Sequence, residues 1–230
     1  SFPTRRSSDL IKISLLRLKN LGKNKRKIQL YYYIELVLGV HEHFTKMHLS
    51  TEYHEALEML IIKNNYNHDF PKRKVFMAST EKIESYNGDR VSFLGLGGDK
   101  VKPRALNDNA LSNIVGFGYD PCGTIQVELE LEPEEDIELA FYFGQVSNDG
   151  ELSFYKEKYS KVDSVKKQLE QVMDYWRQVT NTVEVNTPEI SMNIMLNNWL
   201  VYQALGCRLW ARSAFYQSGG AFGFRDQLQD

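Results

Sequence analysis

The sequence predicts a β-then-α fold, in which an antiparallel β-sandwich precedes helices. Residues 11–144 contain short runs rich in Val, Ile, Tyr and Phe that are separated by turn residues, a pattern typical of packed antiparallel sheets. Near Ser160 the apolar spacing changes from two residues to the three and four of an amphipathic helix. Residues 190–211 are apolar on nearly every side, which is typical of an interior helix.

Two pairs of strands are predicted to form hairpins. The alternating segment that begins at Ile11 and the Tyr-rich residues 27–38 flank a turn-like sequence at residues 20–24. Residues 125–131 alternate apolar side chains with one Gln and two Glu, so we expect one buried face and one wet face. The turn-like residues 133–136 follow, and the alternation then resumes.

The helical part begins with a one-sided stripe. Its members are Val165, Leu169, Val172, Met173 and Trp176, and Asp163 is the predicted N-cap. Residues 181–186 interrupt the pattern. Thr187, Pro188 and Glu189 then supply a cap, a proline at the first helical position and an early acid, which together predict a second helix start.

Composition excludes several functional classes. The chain has 230 residues, a net charge of −2 and two cysteines, and its pI is near 6.2. It therefore has no basic field for nucleic acid or an anionic membrane. Its two cysteines, Cys122 and Cys207, follow no metal-site or disulfide spacing, and no apolar run is long enough to span a membrane. We expect a cytoplasmic protein, with no membrane contact from this segment.

The two ends indicate an incomplete piece of a longer protein. Residues 1–10 match the translation of a common sequencing adapter in one frame, so we interpret them as an artefact. Residues 187–230 comprise one apolar helix and a Gly-rich loop, which leaves apolar surface without partners. The predicted organisation is a β-sandwich at residues 11–159, a helical linker at 160–186 and the start of a helical domain at 187–230.

Two motifs offer metal or phosphate chemistry only weakly. In a strand, His41 and His43 would point to the same side and suit a metal ion, but no third ligand follows a recognisable spacing. Glycines at 95, 97, 98, 116 and 118 neither follow the dinucleotide-binding pattern nor open a helix. We predict no metal site, and we interpret these glycines as loop geometry.

The C-terminal stretch, residues 212–230, is rich in Arg, Asp, Gln and aromatic residues among small ones. Amides, carboxylates and guanidinium groups suit the reading of sugar hydroxyls, and Arg suits phosphate. An Arg–Asp network that only ties the loop to its domain explains the same residues equally well. Aromatic residues make up 12 % of the chain, which fits sugar stacking but fits β-sheet cores at least as well.

The words at residues 198–203, 211–213 and 215–230 resemble the start of the (α/α)6 barrel in glycoside hydrolase family 94. Residues 33–39, 64–67 and 116–122 resemble the β-sandwich that precedes this barrel in cyclic β-1,2-glucan synthases and 1,2-β-oligoglucan phosphorylases. The resemblance implies that residues 187–230 open a truncated (α/α)6 barrel. It also implies an inverting phosphorolysis, in which phosphate attacks the anomeric carbon while a carboxylic acid protonates the leaving oxygen.

The resemblance also implies a site. The substrate-binding candidates are Arg225, Asp226, Gln229 and Asp230, with Arg212, Tyr216, Gln217 and Ser218 as weaker ones. The family's general acid lies in an Asp-Trp-Asn-Asp-like word that this chain lacks, so the chain itself has no catalytic candidate and is expected to be inactive. The implied partners are a β-glucan oligosaccharide and phosphate, with no metal or organic cofactor. If the parent protein is a cyclic glucan synthase, the resemblance also allows attachment of that parent to the inner membrane. The alternatives are a non-catalytic carbohydrate-binding sandwich and a sandwich that mediates homodimerisation.

Overall fold

The computed structural model describes residues 3–4, 10–39, 41–67, 70–181 and 184–205. The strands are β1 (Pro3–Thr4), β2 (Ile11–Lys19), β3 (Arg26–Glu35), β4 (Leu49–His54), β5 (Met59–Asn64), β6 (Lys74–Ser79), β7 (Ser85–Asp89), β8 (Pro121–Leu131) and β9 (Asp136–Val146). The helices are α1 (Glu42–Thr45), α2 (Arg90–Leu94), α3 (Asp149–Lys158), α4 (Val162–Thr180), α5 (Ile190–Ile194) and α6 (Leu200–Gln203). The predicted order of antiparallel sheets followed by helices is confirmed.

The chain divides into two compact units, Ser1–Leu169 and Glu170–Asp230. In the first unit, six strands form one antiparallel sheet in the order β1-β2-β9-β6-β5-β4. A second antiparallel sheet has the order β3-β8-β7. The two sheets pack face to face, because each contributes one apolar row to a shared core.

That shared core lies between the inner faces of the sheets. Leu60, Ile62 and Met77 come from the larger sheet, and Ile125 and Val127 come from the smaller one. All five side chains are fully buried. Their spacing of two residues within each strand puts them on one face of the pleat, as the alternating sequence predicts.

The two predicted hairpins are wrong. Strand β2 pairs with β9 and strand β3 pairs with β8, so the turn after Lys19 and the turn after Leu131 each carry the chain from one sheet to the other. The two turns lie side by side, since the main-chain N–H of Asn20 donates to the Glu135 carbonyl and the main-chain N–H of Glu134 donates to the Asn20 carbonyl, both at 2.9 Å. The residues of a turn predict that the chain changes direction. They do not predict which strand the next segment pairs with.

The other face of the larger sheet is also covered. Met59, Ile61 and Phe76 pack there against Leu152 of α3, which the sequence reading missed. The Asn148 Oδ1 accepts a hydrogen bond from the Glu151 N–H at 3.1 Å and caps this helix. Helix α4 begins at Val162, so Asp163 lies inside its first turn. The prediction that Asp163 is the N-cap is therefore wrong.

The outer face of the smaller sheet is less exposed to solvent than predicted. Helix α2 and the following loops cover it, and the Phe93 ring stacks on the Tyr33 ring at a centroid distance of 4.9 Å. Gln126, which was expected to face water, is 1 % exposed. Its amide donates to the Tyr31 hydroxyl at 3.3 Å and the Asn109 carbonyl at 3.1 Å. An added layer of loops therefore overrides the two-residue pattern.

In the second unit, the helix predicted from residue 187 begins later. Glu189 caps it, because its carboxylate accepts from the Ser191 N–H at 3.4 Å, and the first helical residue is Ile190. The Asn193 side chain holds Thr187 instead, with bonds to the Thr187 N–H at 2.8 Å and the Thr187 carbonyl at 3.0 Å. A π-helical stretch, Met195–Trp199, separates α5 from α6.

The apolar residues of these helices are exposed in the described part of the chain. Ile190 is 73 % exposed, Ile194 61 % and Trp199 48 %. Within the described residues, these helices therefore present apolar side chains to solvent.

Candidate functional site

The C-terminal site candidates lie outside the described residues. They are Arg212, Tyr216, Gln217, Ser218, Arg225, Asp226, Gln229 and Asp230. Their proposed contacts with sugar and phosphate stay predictions.

The three segments of the sandwich that carry the family resemblance, residues 33–39, 64–67 and 116–122, meet at one end of the sandwich. We call this end the cleft end. It comprises residues 36–39, 41–48, 64–67, 70–73 and 116–120. The Asn64 Nδ2 donates to the Leu38 carbonyl at 2.6 Å and joins the first two words. Ser50 lies next to the third, since it accepts a hydrogen bond of 2.9 Å from the Asn65 side chain and forms a β-bridge with Phe117. Sequence segments far apart in the chain therefore build one surface.

Asparagines set the shape of the loop after β5. The Asn64 Oδ1 accepts from the Tyr66 N–H at 2.9 Å, and the Asn67 Oδ1 accepts from the Phe70 N–H at 3.0 Å. Such bonds let a short polar side chain replace a missing backbone partner in a turn. The Tyr66 ring stacks on the His48 ring at a centroid distance of 4.6 Å. The two asparagine side chains therefore fix the backbone of Tyr66 and Phe70, whose rings line the same cleft.

Small-molecule sites typically have volumes of about 300 to 1,000 Å³, and the cleft end contains a cleft of about 530 Å³. Its lining residues are Leu38, Gly39, Thr45, Asn64, Tyr66, Asn67, Phe70, Arg73, Val75 and Gln145. Tyr66 is 63 % exposed and Phe70 is 58 % exposed. The cleft thus combines aromatic surface with amides, a hydroxyl and a guanidinium group.

A turn with two glycines of positive φ belongs to the cleft end. Gly116 has φ 140° and Gly118 has φ 86°, values that side chains with a Cβ rarely adopt. The Gly116 N–H donates to Thr51 Oγ1 at 3.1 Å, and its carbonyl accepts from the Thr51 N–H at 2.9 Å. Between the glycines, Phe117 is 64 % exposed. The glycines interpreted as loop geometry form such a turn here.

A charge cluster fixes the base of this turn. The Asp120 carboxylate accepts from Lys46 Nζ at 2.6 Å and from Arg90 Nε at 2.6 Å, and its side chain is 14 % exposed. Burial opposes ionisation of this carboxyl, but the hydrogen bonds from Lys46 and Arg90 outweigh it, so the pKa of Asp120 lies below its ordinary value. The cluster joins the residue that follows α1, the first residue of α2 and the residue that precedes β8.

The histidine pair does not have the strand geometry that a shared metal would need. His41 precedes α1 and His43 lies within it, so the two rings do not sit on alternate positions of a strand. Among the described residues, no three His, Cys, Asp or Glu side chains are grouped to hold a metal ion. Cys122 is buried, which raises the pKa of its thiol to about 12 and makes it unreactive.

A second cleft of about 460 Å³ lies on the smaller sheet and is lined by Lys27, Gln29, Asn109 and Glu128. Its polar groups bond to one another, because Gln29 Nε2 donates to the Asn109 carbonyl at 2.8 Å and Lys27 Nζ pairs with Glu128 at 2.7 Å. It lacks aromatic lining residues among those described. The cleft end is therefore the stronger candidate site.

Family profiles match both parts of the chain. The profile described as "Glycosyl hydrolase 94, supersandwich domain" matches residues 6–162. The profile described as "Glycosyl hydrolase 94 superfamily, catalytic domain" matches residues 175–230. The chain belongs to glycoside hydrolase family 94. The resemblance seen in its sequence words is thereby confirmed.

Similar proteins include synthases and phosphorylases. This family 94 chain is 37 % identical over 220 residues to cyclic beta-(1,2)-glucan synthase NdvB of Rhizobium meliloti, which covers 95 % of the chain and 8 % of the relative. It is 32 % identical over 168 residues to N,N'-diacetylchitobiose phosphorylase of Vibrio proteolyticus, with 72 % and 21 % covered. Solabiose phosphorylase of Paenibacillus borealis is 24 % identical over 228 residues, with 97 % and 29 % covered. The chain spans less than a third of each relative.

Residues 64–67 carry part of the family resemblance, and their place in the lining of a cleft was not predicted from the sequence. The signal was available: three asparagines surround one tyrosine directly after an apolar strand, which predicts a turn stabilised by its own side chains. What the sequence does not contain is the distance to Leu38, Arg73 and Gln145, which belong to other segments.

Proposed function

We propose that the protein containing this chain is an inverting glycoside phosphorylase, of glycosyltransferase type, that acts on β-glucan oligosaccharides with inorganic phosphate. The expected product is glucose 1-phosphate, and the expected linkage is β-1,2. The family 94 match carries the proposal, because both the sandwich and the catalytic-domain profiles align with the chain. The names of the relatives support a phosphorylase and favour a β-1,2-glucan.

The chemistry requires few protein groups. Phosphate oxygen attacks the anomeric carbon as the glycosidic bond breaks, and a carboxylic acid donates a proton to the departing oxygen. Arg225 suits phosphate or sugar hydroxyls through paired donors, and Asp230 suits the sugar hydroxyls. Gln229 and Asp226 complete the proposed wall, with Arg212, Tyr216, Gln217 and Ser218 nearby in sequence.

We propose that these 230 residues alone are inactive, since the sequence contains no Asp-Trp-Asn-Asp-like word for the general acid. Neither a metal nor an organic cofactor is needed, because phosphate itself is the nucleophile.

The proposed location is the cytoplasm, where phosphate is available. Within the described residues, no helix is long and apolar enough to cross a bilayer. A homodimer built through the sandwich remains a proposal.

The test is to obtain the complete gene from the source DNA, express its product, and measure glucose 1-phosphate release from β-1,2-gluco-oligosaccharides with phosphate. Asp230→Ala should lower the rate by about a hundredfold or more, since it removes charged hydrogen bonds to the reacting sugar. The control Asp108→Ala, an exposed loop carboxylate, should keep the rate. Release of glucose instead of glucose 1-phosphate, or a gene that ends at Asp230, would exclude the proposal.

A further inference from the structure

We propose that the cleft at the end of the sandwich binds a pyranose unit of an oligosaccharide. The cleft is lined by Leu38, Gly39 and Thr45 and, from a later part of the chain, by Tyr66, Asn67, Phe70 and Arg73. The choice of a glucan as ligand rests on the proposed function. The location of the site rests on the geometry of the sandwich, which holds whatever reaction the complete protein performs.

The dimensions of the cleft suit one or two sugar rings. Its volume is about 530 Å³, which lies within the range of about 300 to 1,000 Å³ typical of small-molecule sites. It is partly open to solvent, so a longer oligosaccharide chain can extend beyond it. The floor contains Val75, which is 7 % exposed and belongs to the core of the sandwich. Strands β5, β6 and β9 thus contribute Asn64, Val75 and Gln145 to the lining, and α1 and loops contribute the rest.

The aromatic rings supply the apolar part of the contact. A pyranose has one face of C–H groups, and an aromatic ring that is only partly covered gains contact area by packing against it. Tyr66 and Phe70 are both more than half exposed, although single exposed rings are common and mean little alone. Here the side chains of Asn64 and Asn67 bond to the backbone of both residues and hold them at the cleft. The rings are positioned by a built turn.

Polar groups suited to hydroxyls surround the rings. Arg73 contributes guanidinium donors, and Gln145 contributes an amide from β9, which is part of the larger sheet. Thr45 adds a hydroxyl, which donates to the His41 carbonyl at 3.1 Å and keeps acceptor capacity. A few polar groups beside apolar surface are typical of sites that fix the orientation of a neutral ligand.

The charge of the lining favours a neutral sugar. Arg73 is the one charged side chain among the described lining residues. A polyanionic ligand would need several cationic side chains, such as Arg residues that each donate two hydrogen bonds to one acidic group. A glucan presents only hydroxyls and C–H faces, which match the amides and rings of the cleft.

The experiment is calorimetric titration of the 230-residue chain with β-1,2-linked gluco-oligosaccharides, without phosphate. Tyr66→Ala and Phe70→Ala should each weaken binding by about tenfold or more, as truncation of a central aromatic contact does. Phe154→Ala is the matched control, because Phe154 is 54 % exposed on α3 and does not line the cleft. It should bind like the unchanged chain. Far-UV circular dichroism should be unaltered, since exposed rings contribute little to folding.

Three results would overturn the proposal. They are absence of binding by the unchanged chain, equal affinity of all variants, and loss of a dimer in Tyr66→Ala, which would identify the cleft as a contact between copies. The two proposals fail separately. Ring-dependent binding without phosphorolysis by the complete protein would retain the cleft and remove the reaction, whereas phosphorolysis without ring-dependent binding would do the reverse.

Discussion

The side-chain amide of Asn20 donates a hydrogen bond of 3.1 Å to the main-chain carbonyl of Leu131, across 111 residues of sequence. The same amide donates to Asn24 O at 2.9 Å and Glu132 O at 3.1 Å, while its oxygen accepts from the Gly22 N–H at 3.0 Å. Asn20 is 3 % exposed. One buried side chain therefore fixes both turns that carry the chain between the sheets.

Asn20→Ala should lower the free energy of unfolding by about 2 to 3 kcal/mol, because the buried Leu131 carbonyl and two partly buried carbonyls lose their donor. Asn20→Asp should be at least as damaging, since a carboxylate would replace the amide donor that faces these carbonyls. Urea unfolding followed by far-UV circular dichroism measures both changes. Asn24→Ala, an exposed change in the same turn, should cost less than about 0.5 kcal/mol. Equal losses in Asn20→Ala and Asn24→Ala would contradict this role.

The start of α3 gives a second prediction. Asn148 caps Glu151, and the Glu151 carboxylate accepts from the Ser147 N–H at 2.8 Å, which forms a reciprocal capping arrangement. Asn148→Ala should cost about 1 kcal/mol, and Asn148→Ser should retain most of the stability. Urea midpoints of the three chains measure the difference. If Asn148→Ala has the same urea midpoint as the unchanged chain, the cap contributes nothing to stability.

The packing between the sheets gives a third prediction, centred on Gly123 and Met77. A Cβ at Gly123 would lie 2.2 Å from Met77 Sδ, and Met77 is fully buried. Gly123→Ala should therefore cost about 1 to 3 kcal/mol from overpacking. Met77→Ala should cost about 2 to 5 kcal/mol from the cavity that it leaves.

The double variant of Gly123 and Met77 tests their contact directly. Because the smaller side chain leaves room for the new methyl group, the combined loss should be smaller than the sum of the single losses by about 1 kcal/mol or more. Urea unfolding of the four chains completes the cycle. Simple additivity would mean that the two residues do not meet across the sandwich.

Much of the fold was predictable from sequence because strands and helices carry local periodic signals. The alternation in β8 and the stripe on α4 were sufficient for both elements. Pairing was not predictable, since the turns at Asn20 and Glu134 look the same whether they join neighbours in one sheet or connect two sheets. The burial of Gln126 was missed for a similar reason, because the loops that cover it belong to distant residues.

The candidate site was predictable only in part. The sequence drew attention to residues 64–67 and 116–122, and the structure places both words at the cleft end. The lining by Arg73 and Gln145 depends on the pairing of β6 with β9, which no local pattern encodes. Helix α3 was missed although Asn148 and Glu151 have the spacing of a capping box, because its weakly one-sided apolar pattern gave no stripe.

The last prediction concerns the acid dependence of stability at Asp120. Because Lys46 and Arg90 lower the pKa of this carboxyl in the folded chain, its ionised form stabilises the fold. This contribution is fully present above the ordinary carboxyl pKa of about 3.9 and is lost as the pH falls through the lower folded value. Asp120→Asn should therefore cost about 1 to 3 kcal/mol near neutral pH, as the loss of charged hydrogen bonds does. Below about pH 4 the difference from the unchanged chain should shrink. Urea unfolding at both pH values measures it, and a difference that stays constant would show that the cluster stabilises the fold by packing rather than by charge.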